Sequence, residues 1–292
     1  MKRSMLFIPG NTPNLLINGN CLGADMVIFD LEDAVSPDEK DSARILVRNT
    51  IKSLDFSTLG TIVRINSVDT DYWQSDLDEI IPCRPSMIML PKTGTAADVL
   101  TADAYISQLE DSLGFERNTV RLMPLLETAL GVENAFAIAS ASSRVSALFL
   151  GAEDLTADLR CKRTKEGKEI EYARTRLVVA ARAAGVDVYD TPFTDVNDDE
   201  GIRIDAEHAK ALGFTGKASI SPRHIDTINE VFSPSLKDIE YSYEVMDAIR
   251  RAREQGRGAI ALRGKMIDAP IVARAQQTIA AAEEMGLGRK EN

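Results

Sequence analysis

The sequence predicts an α/β protein, a closed (β/α)8 barrel (TIM barrel) followed by a C-terminal helical extension that forms a lid. Short apolar runs alternate with longer amphipathic segments, which is typical of a parallel sheet with helical crossovers. Eight such runs occur, the number that the barrel requires. Polar or special residues follow nearly every run, as expected where the carboxyl ends of barrel strands form a site.

Each apolar run defines one predicted strand. The run at 145–150 is apolar except for Ser146, which indicates a strand buried on both faces. A doubly wound open sheet remains an alternative, because a sequence cannot show closure. The predicted strands are 4–8, 26–29, 61–65, 87–90, 121–126, 147–150, 186–189 and 218–220.

Helices are predicted between the strands from apolar residues at helical spacing. They lie at 96–113, 128–142 and 171–184, and Gly114 and Gly185 stand where C-terminal caps are expected. They are scaffold and carry no information about chemistry.

More residues follow the eighth strand than a closing helix needs. We therefore expect a barrel domain over residues 1–235 and a helical extension over 236–292. The extension contains a long helix at 236–255, a glycine-broken stretch at 256–270 and a last helix. A glycine-hinged segment that carries an acid, here Asp268, is a candidate lid, although a simple connector is the commoner explanation.

Composition and charge exclude several classes of protein. The 292 residues are 44% hydrophobic and 27% charged, which is typical of a globular enzyme. The net charge of −11 argues against a nucleic-acid partner. The three cysteines are far apart, so neither a disulfide framework nor a zinc site is indicated, and the cytoplasm is the expected compartment. No apolar run suggests a signal peptide or a membrane span of about 18 residues.

Carboxylates follow two neighbouring predicted strands. Glu127 ends the fifth, and Glu153 and Asp154 follow the sixth. Two carboxylates that meet at the strand ends would suit a hard cation such as Mg²⁺, which takes one or two carboxylates plus water and substrate oxygens. For any one of these acids alone, capping of the next helix is the simpler explanation.

Arg64 ends the third predicted strand, where a charge is costly unless it is paired. Its guanidinium suits a substrate carboxylate, and an internal salt bridge to Asp30, Glu32 or Asp33 is an equal alternative.

Other motifs are less informative. The basic cluster at 162–165 is best explained as solvated surface, with contact to an anionic substrate arm as the alternative. His208 and His224 are the two histidines, and both are expected on the surface of a helix or loop, so histidine-based metal sites are not expected. The sequence contains no nucleophile elbow, phosphate-binding loop or dinucleotide fingerprint.

Six segments in order resemble the citrate lyase β-subunit family, within the wider family of citramalyl-, malyl- and citryl-thioester lyases (the HpcH/HpaI-type aldolases). The resemblance extends over nearly the whole chain. It is specific because all six segments occur in the family's order and spacing. The segments are RSMLFIPGN at 3–11, FDLEDAV at 29–35, TIVRIN at 61–66, LPKT at 90–93, LGAED at 150–154 and GKMID at 264–268.

The resemblance implies a metal site as well as a barrel that assembles as a trimer or hexamer. Glu127 and Asp154 match the family's Mg²⁺ ligands, which leaves Glu153 in a supporting role. Asp30, Glu32 and Asp33 match acids that support the metal and its bound waters.

The resemblance also implies how substrate is held and where protons move. Arg64 matches the arginine that grips the carboxylate of the oxo acid. Asp268 matches a lid acid that reaches a neighbouring subunit's site and exchanges a proton with the substrate. Substrate-binding positions are implied at Pro9, Gly10, Gly151, Ala152 and Pro222.

The implied reaction is Mg²⁺-dependent cleavage of a citryl thioester to oxaloacetate and an acetyl thioester. Residues 13–18 lack the Arg and Lys that free-CoA lyases tend to place there, which favours a thioester on an acyl carrier protein, with citrate lyase α and carrier subunits as partners. The alternatives are a stand-alone citramalyl-, malyl- or citryl-CoA lyase and a non-catalytic scaffold subunit. Many members of the wider family have Ile-His-Pro where this chain has Ile220-Ser221-Pro222, so no histidine role is implied there.

Overall fold

A closed barrel of eight parallel strands forms the larger part of the computed structural model, which describes residues 2–254 and 260–289. Each strand pairs with the next, and β1 also pairs with β8, which closes the ring and excludes the open sheet. The strands are β1 (Ser4–Pro9), β2 (Met26–Asp30), β3 (Gly60–Arg64), β4 (Met87–Leu90), β5 (Arg121–Leu126), β6 (Ala147–Leu150), β7 (Asp187–Asp190) and β8 (Gly216–Ser219).

All eight predicted strands are present, and the eighth differs most in its bounds. It begins at Gly216 and includes Lys217. Because Lys217 is charged, a search for apolar runs does not include it and places the start of the strand too late. The Lys217 side chain is buried because its ammonium donates to Asp190 Oδ2 and to the Thr191 carbonyl, both at 2.6 Å. A paired charge is tolerated in a core where an unpaired one is not.

Helices surround the barrel between successive strands. They are α1 (Pro13–Leu16), α2 (Lys40–Ser53), α3 (Trp73–Ile80), α4 (Ala96–Leu113), α5 (Ala129–Glu133), α6 (Ala135–Ala139), α7 (Ala152–Asp158), α8 (Glu171–Ala184), α9 (Asp199–Leu212) and α10 (Ile225–Phe232). Gly114 and Gly185 adopt left-handed conformations as C-terminal caps, as predicted. The single helix predicted at 128–142 is wrong: Asn134 interrupts it, and its side-chain amide donates to the Gly94 carbonyl at 2.9 Å.

Methionines and aromatic rings fill the inside of the barrel. Met26, Met89, Met123, Phe149 and Tyr189 belong to one buried cluster. Strands β2, β4 and β6 are buried along their whole length, as expected for parallel strands covered on both faces. This packed interior leaves the carboxyl ends of the strands as the place where a site can form.

The described chain divides into two compact units, residues 2–230 and residues 231–289. The second unit contains α11 (Leu236–Glu254), β9 (Ile260–Leu262), β10 (Lys265–Ile267) and α12 (Ala269–Glu284). Strands β9 and β10 form an antiparallel hairpin whose two turn residues, Arg263 and Gly264, both have positive φ, as a type I′ turn requires. Residue 255 of the predicted helix and residues 256–259 of the predicted glycine-broken stretch lie outside the described residues. Within 2–254 and 260–289, no helix is both long enough and apolar enough to span a membrane.

Candidate active site

A cavity of about 440 Å³ opens at the carboxyl end of the barrel strands. All of its lining residues belong to the unit formed by residues 2–230. Several predicted site residues face it together. Those that line the cavity are Pro9, Asp30, Asp33, Arg64, Glu127, Gly151, Ala152 and Asp154.

Among the carboxylates that line this cavity, Glu127 is the most buried one without a cation partner in the described part of the chain. Its side chain is 3% exposed, and its Oε1 accepts a hydrogen bond of 2.7 Å from the backbone N–H of Lys92. Burial, together with the negative charges of Glu32 and Asp154, raises its pKa to about 8, although the Lys92 hydrogen bond opposes this. The Glu127 carboxyl group therefore keeps its proton near neutral pH unless a bound cation displaces that proton.

Gly151 makes room for that carboxylate. Leu126 and Leu150 are paired across β5 and β6, so Glu127 and Gly151 follow side by side. A Cβ at position 151 would lie 2.7 Å from both Cβ and Oε2 of Glu127, closer than carbon atoms are found. A glycine is thus required here by the close approach of the Glu127 side chain.

Asp154 is the second carboxylate without a cation partner. It lies half-buried in the first turn of α7, and its carboxylate makes no hydrogen bond or ion pair with any residue that the structure describes. Its neighbour Glu153 is largely exposed, with Oε1 3.6 Å from Arg163 Nε. Asp154, and not Glu153, is therefore the acid available to a ligand in the cavity.

Glu127 and Asp154 together fit a divalent cation of the Mg²⁺ type. In the described part of the chain no three His, Cys, Asp or Glu side chains converge as a metal site. The candidate ligands in the cavity are these two carboxylates. Mg²⁺ is usually bound in this way, with water and substrate oxygens completing its octahedron. Two like charges in an apolar cavity are also costly without a cation.

Arg64 forms the internal salt bridge that was one of the two sequence-based alternatives. Asp30 and Arg64 are register partners across β2 and β3, and the guanidinium binds Asp30 through two bonds of 2.7 and 2.6 Å. Its NH1 lies 3.2 Å from Glu32 Oε2 and 3.3 Å from Asp33 Oδ2. Burial disfavours the charge, but these three acids more than offset that cost and raise the pKa of Arg64. Arg64 also lines the cavity, so pairing does not remove it from the site.

The loop after β2, which carries Glu32 and Asp33, is held by a buried ammonium. Lys40 Nζ donates to the carbonyls of Leu31 and Glu32 at 2.7 and 2.6 Å. Asp30 accepts from the N–H of Glu32 at 2.9 Å, which fixes the start of the same loop. Burial raises the pKa of Glu32, although the charges of Arg64 and Lys92 oppose it. The acids around Arg64 are thus rigidly placed.

Lys92 is a site residue to which the sequence analysis assigned no role. Its backbone N–H binds Glu127, and its Nζ donates to Glu32 Oε1 at 2.8 Å. Lys92 therefore connects Glu127 with the loop after β2. The residue has a φ of 51°, which is uncommon for a side chain with a Cβ. Its position directly after β4, at the carboxyl end of the barrel, is the signal that could have identified it.

Two predicted substrate-binding residues do not line the cavity. Gly10 donates its N–H to the Asp30 carbonyl at 2.8 Å, and a Cβ there would lie 2.6 Å from that oxygen, so the glycine allows β1 to approach β2 closely. Pro222 begins a 3-10 turn, Pro222–His224, after β8.

Asp268 lies in the second unit. There it caps the N-terminus of α12, where its Oδ1 accepts from the Ile271 N–H at 3.2 Å, and its side chain is exposed.

The surface prediction for His224 is wrong, and in the basic cluster, which is predicted to be solvated, Lys162, Thr164 and Lys165 are exposed but Arg163 is not. His224 is fully buried, neither ring nitrogen has a hydrogen-bond partner among the described residues, and its ring lies 6.3 Å from that of Phe193. Arg163, in the basic cluster, is only 9% exposed because it binds Glu169 at 2.8 Å. Residues without a periodic apolar signal can still be buried when local geometry or a partner encloses them. His208 is exposed on α9 as predicted, 2.8 Å from Glu171.

Comparison with known proteins identifies the family. The model of the HpcH/HpaI aldolase/citrate lyase family matches residues 3–222, which include every residue that lines the cavity. The chain belongs to the HpcH/HpaI aldolase/citrate lyase family. It is 40% identical to the citrate lyase subunit beta of Leuconostoc mesenteroides subsp. cremoris over 96% of this chain and 92% of that protein. It is 34% identical to the L-malyl-CoA/beta-methylmalyl-CoA lyase of Cereibacter sphaeroides, over 96% and 94% of the two chains.

A solved structure similar to this chain supports the fold. The crystal structure of protein CitE from Mycobacterium tuberculosis in complex with magnesium, acetoacetate and coenzyme A matches with a TM-score of 0.79 and 30% identity. The match covers 96% of this chain and 98% of that one. The solved structure thus supports the (β/α)8 barrel that is predicted from the sequence. Asp268 lies beyond the residues that the family model matches.

Proposed function

We propose that the chain is a Mg²⁺-dependent carbon–carbon lyase that cleaves a citryl thioester to oxaloacetate and an acetyl thioester. The observation that carries the proposal is the pair Glu127 and Asp154, two carboxylates without cation partners in a cavity that Arg64 also lines. The relatives support the choice of substrate, since identity is 40% to a citrate lyase subunit beta and 34% to a malyl-CoA lyase.

The proposed cleavage requires a proton to leave one part of the substrate and return to another. The central hydroxyl of the citryl group loses its proton as the adjacent carbon–carbon bond breaks, which gives the carbonyl of oxaloacetate. The electron pair of that bond forms the enolate of the acetyl thioester, and protonation of its carbon gives the second product. Mg²⁺ held by Glu127 and Asp154 would supply Lewis-acid stabilisation of the negative charge that develops on oxygen.

Arg64 holds the oxo-acid part of the substrate in this proposal. Its guanidinium is fixed by Asp30, so it is oriented before substrate binds and loses little freedom on binding. Asp30, Glu32 and Asp33 support the cation and its waters, since all three are gathered around the same arginine. Pro9, Gly151 and Ala152 form part of the cavity wall against which the substrate would lie.

The thioester is presented by an acyl carrier protein in our proposal, within a complex that also contains citrate lyase α and carrier subunits. Residues 13–18 contain no Arg or Lys to meet CoA phosphates, which supports a carrier. The alternative, a stand-alone lyase for citramalyl-, malyl- or citryl-CoA, is favoured by the coenzyme A in the CitE complex. A homotrimer or hexamer in the cytoplasm completes the proposal, and the three free cysteines are consistent with a reducing compartment.

A panel of thioesters tests the proposed function. The purified chain is incubated with Mg²⁺ and with citryl, citramalyl or malyl groups on CoA or on the carrier, and the released oxo acid is identified. We expect oxaloacetate from the citryl thioester, and loss of turnover when a chelator removes the metal. If only pyruvate or glyoxylate is released, the substrate assignment is wrong but the proposed mechanism stands. If no oxo acid is released from any thioester, the non-catalytic scaffold alternative is favoured.

Asp268 is proposed as the acid that exchanges a proton with the enolate carbon, from a lid formed by residues 236–292. We expect Asp268→Asn to lower kcat about 100-fold, the low end of the range for general acid–base catalysis. The exchange of acetyl-group protons with deuterated solvent should slow in parallel. Because asparagine can still cap α12, stability should hardly change. Undiminished cleavage by this variant would exclude the role.

A further inference from the structure

Helix α7, which carries Asp154, begins without a capping side chain of its own. The first N–H groups of a helix have no carbonyl partner within it, and a Ser, Thr, Asp or Asn at the preceding position usually accepts from one of them. In α7 that position is Gly151, which has no side chain. Because the close approach of Glu127 requires the glycine, α7 has to obtain its cap from another part of the chain.

Thr191 supplies the missing acceptor from the next strand. Phe149 and Tyr189 are paired across β6 and β7, so Gly151 and Thr191, each two residues further on, come side by side. Thr191 Oγ1 accepts a hydrogen bond of 3.2 Å from the N–H of Ala152, the first residue of α7. Thr191 and Ala152 are 2% and 1% exposed, so this N–H would be left without a partner if the hydroxyl were removed.

Four buried charges hold the backbone of Thr191 in place. Lys217 Nζ donates to the Thr191 carbonyl at 2.6 Å, and it lies at the same distance from Asp190 Oδ2 and from Asp205 Oδ2. Arg174 binds the same two acids at 2.9 and 2.7 Å. Displacing any member of such a network would leave a buried charge without its partner, which is costly. Thr191 is therefore tied firmly to the barrel.

Asp154 is the third residue of α7, in the turn that Thr191 caps. An acid at this position can accept from the N–H of the capping residue, as Asp98 does at the start of α4. In α7 the Gly151 N–H donates instead to the Leu126 carbonyl at 3.1 Å, so this bond is not available to Asp154. The direction of the Asp154 carboxylate therefore depends on the orientation of the turn itself.

We propose that Thr191 is a positioning residue for the metal ligand Asp154. It holds the first turn of α7 through Ala152, and so keeps Asp154 in the cavity that Glu127 also lines. The inference rests on the proposed function, because it takes Asp154 and Glu127 as Mg²⁺ ligands. In this role Thr191 contacts no reacting atom. Removing its hydroxyl should weaken Mg²⁺ binding and have little effect on cleavage once the metal is bound.

Thr191→Val tests the proposal, because valine has nearly the shape of threonine but cannot accept from the Ala152 N–H. Mg²⁺ binding is measured by calorimetry on the chain without substrate. We expect the dissociation constant to rise about 10-fold or more, the usual cost of removing a group that orients a metal ligand. Thr191→Ser keeps the acceptor and should stay within about threefold of wild type. At saturating Mg²⁺, kcat for the citryl thioester should stay within about threefold in both variants, since excess metal restores the bound state.

Thr61→Val is the matched control for a loss of stability alone. Thr61 is also buried, at 6% exposed, and its Oγ1 accepts from the backbone N–H of Ser86 at 3.3 Å. It lies near the start of β3 and so at the amino end of the barrel, away from the cavity. We expect the melting temperature to fall in both valine variants, but the Mg²⁺ affinity to fall only in Thr191→Val. Thr191→Ala, which also removes the acceptor, takes its place if Thr191→Val does not fold.

Several outcomes would overturn the positioning role while the proposed function stands. They are an unchanged Mg²⁺ affinity in Thr191→Val, an equal loss in Thr61→Val, or an equal loss in Thr191→Ser. A fall in kcat/KM at saturating Mg²⁺ with unchanged Mg²⁺ affinity would also overturn it, and would assign Thr191 to the substrate instead. If wild type itself binds no Mg²⁺, the metal site of the proposed function fails, and this inference fails with it.

Discussion

Replacing Asp154 with asparagine is expected to reduce cleavage of the citryl thioester to below about one-thousandth of the wild-type rate, because a catalytic metal contributes several kcal/mol and about 4 kcal/mol is a factor of 10³. Glu127→Gln should have a similar effect, since each variant leaves a single carboxylate for the cation. Mg²⁺ affinity measured by calorimetry should fall in both. The pair acts as a unit, so the double variant should be little worse than either single one.

Glu153→Gln is the matched control, because Glu153 is adjacent in sequence but largely exposed and paired with Arg163. It should retain most of the activity and of the Mg²⁺ affinity.

Gly151→Ala is the complementary variant: it keeps both carboxylates but forces the Glu127 side chain away from position 151. We expect Mg²⁺ to bind about 10- to 100-fold more weakly, the usual cost of disturbing a ligand's support. Full activity of Asp154→Asn at low Mg²⁺ would contradict the metal site.

The barrel could be predicted because its strands are buried on both faces and read as unbroken apolar runs. The prediction was least accurate where a charge or a side-chain hydrogen bond decided the local structure. Lys217 is charged, yet it belongs to β8 because Asp190 neutralises it in the core. Asn134 lies in a sequence with helical periodicity, yet its bond to the Gly94 carbonyl divides the helix. Both effects depend on partners distant in sequence, which a local pattern cannot include.

The candidate site was predictable to the extent that strand order determines it. Consecutive barrel strands are neighbours, so the acids that follow β5 and β6 are expected near each other, and the acids at the end of β2 are expected near Arg64. The register of β2 and β3, which only the structure shows, makes Asp30 the partner of Arg64. The order of the strands does not show which distant groups a long side chain can contact. Lys92 and Lys40 bind acids and carbonyls of the loop after β2 through long flexible side chains, and their roles emerged only from the structure.

Arg64→Met is expected to lower the free energy of unfolding by about 3–5 kcal/mol, as when one partner of a buried ion pair is removed. Asp30 and Glu32 are 2% and 6% exposed, and they would be left without the guanidinium that now binds them. Denaturant titration of the variant and of wild type measures the loss. Arg48→Met is the control, since the Arg48–Glu79 pair is considerably more exposed and should contribute about 1 kcal/mol or less.

The loss of unfolding free energy in Arg64→Met should depend on pH if it comes from lost charge pairing, and should not if it comes from lost packing. We call this loss the deficit. Burial already raises the pKa of Glu32 above its usual value, and Arg64 opposes that rise. Without Arg64 the pKa of Glu32 should rise further. An acid whose pKa is raised by folding favours the folded state at low pH and loses that contribution as the pH rises through the raised value. The deficit of the variant should therefore shrink as the pH falls from 8 towards 5, while a packing defect would stay constant. A constant deficit, or one below about 1 kcal/mol at pH 8, would show that Asp30 and Glu32 do not depend on Arg64 for their burial.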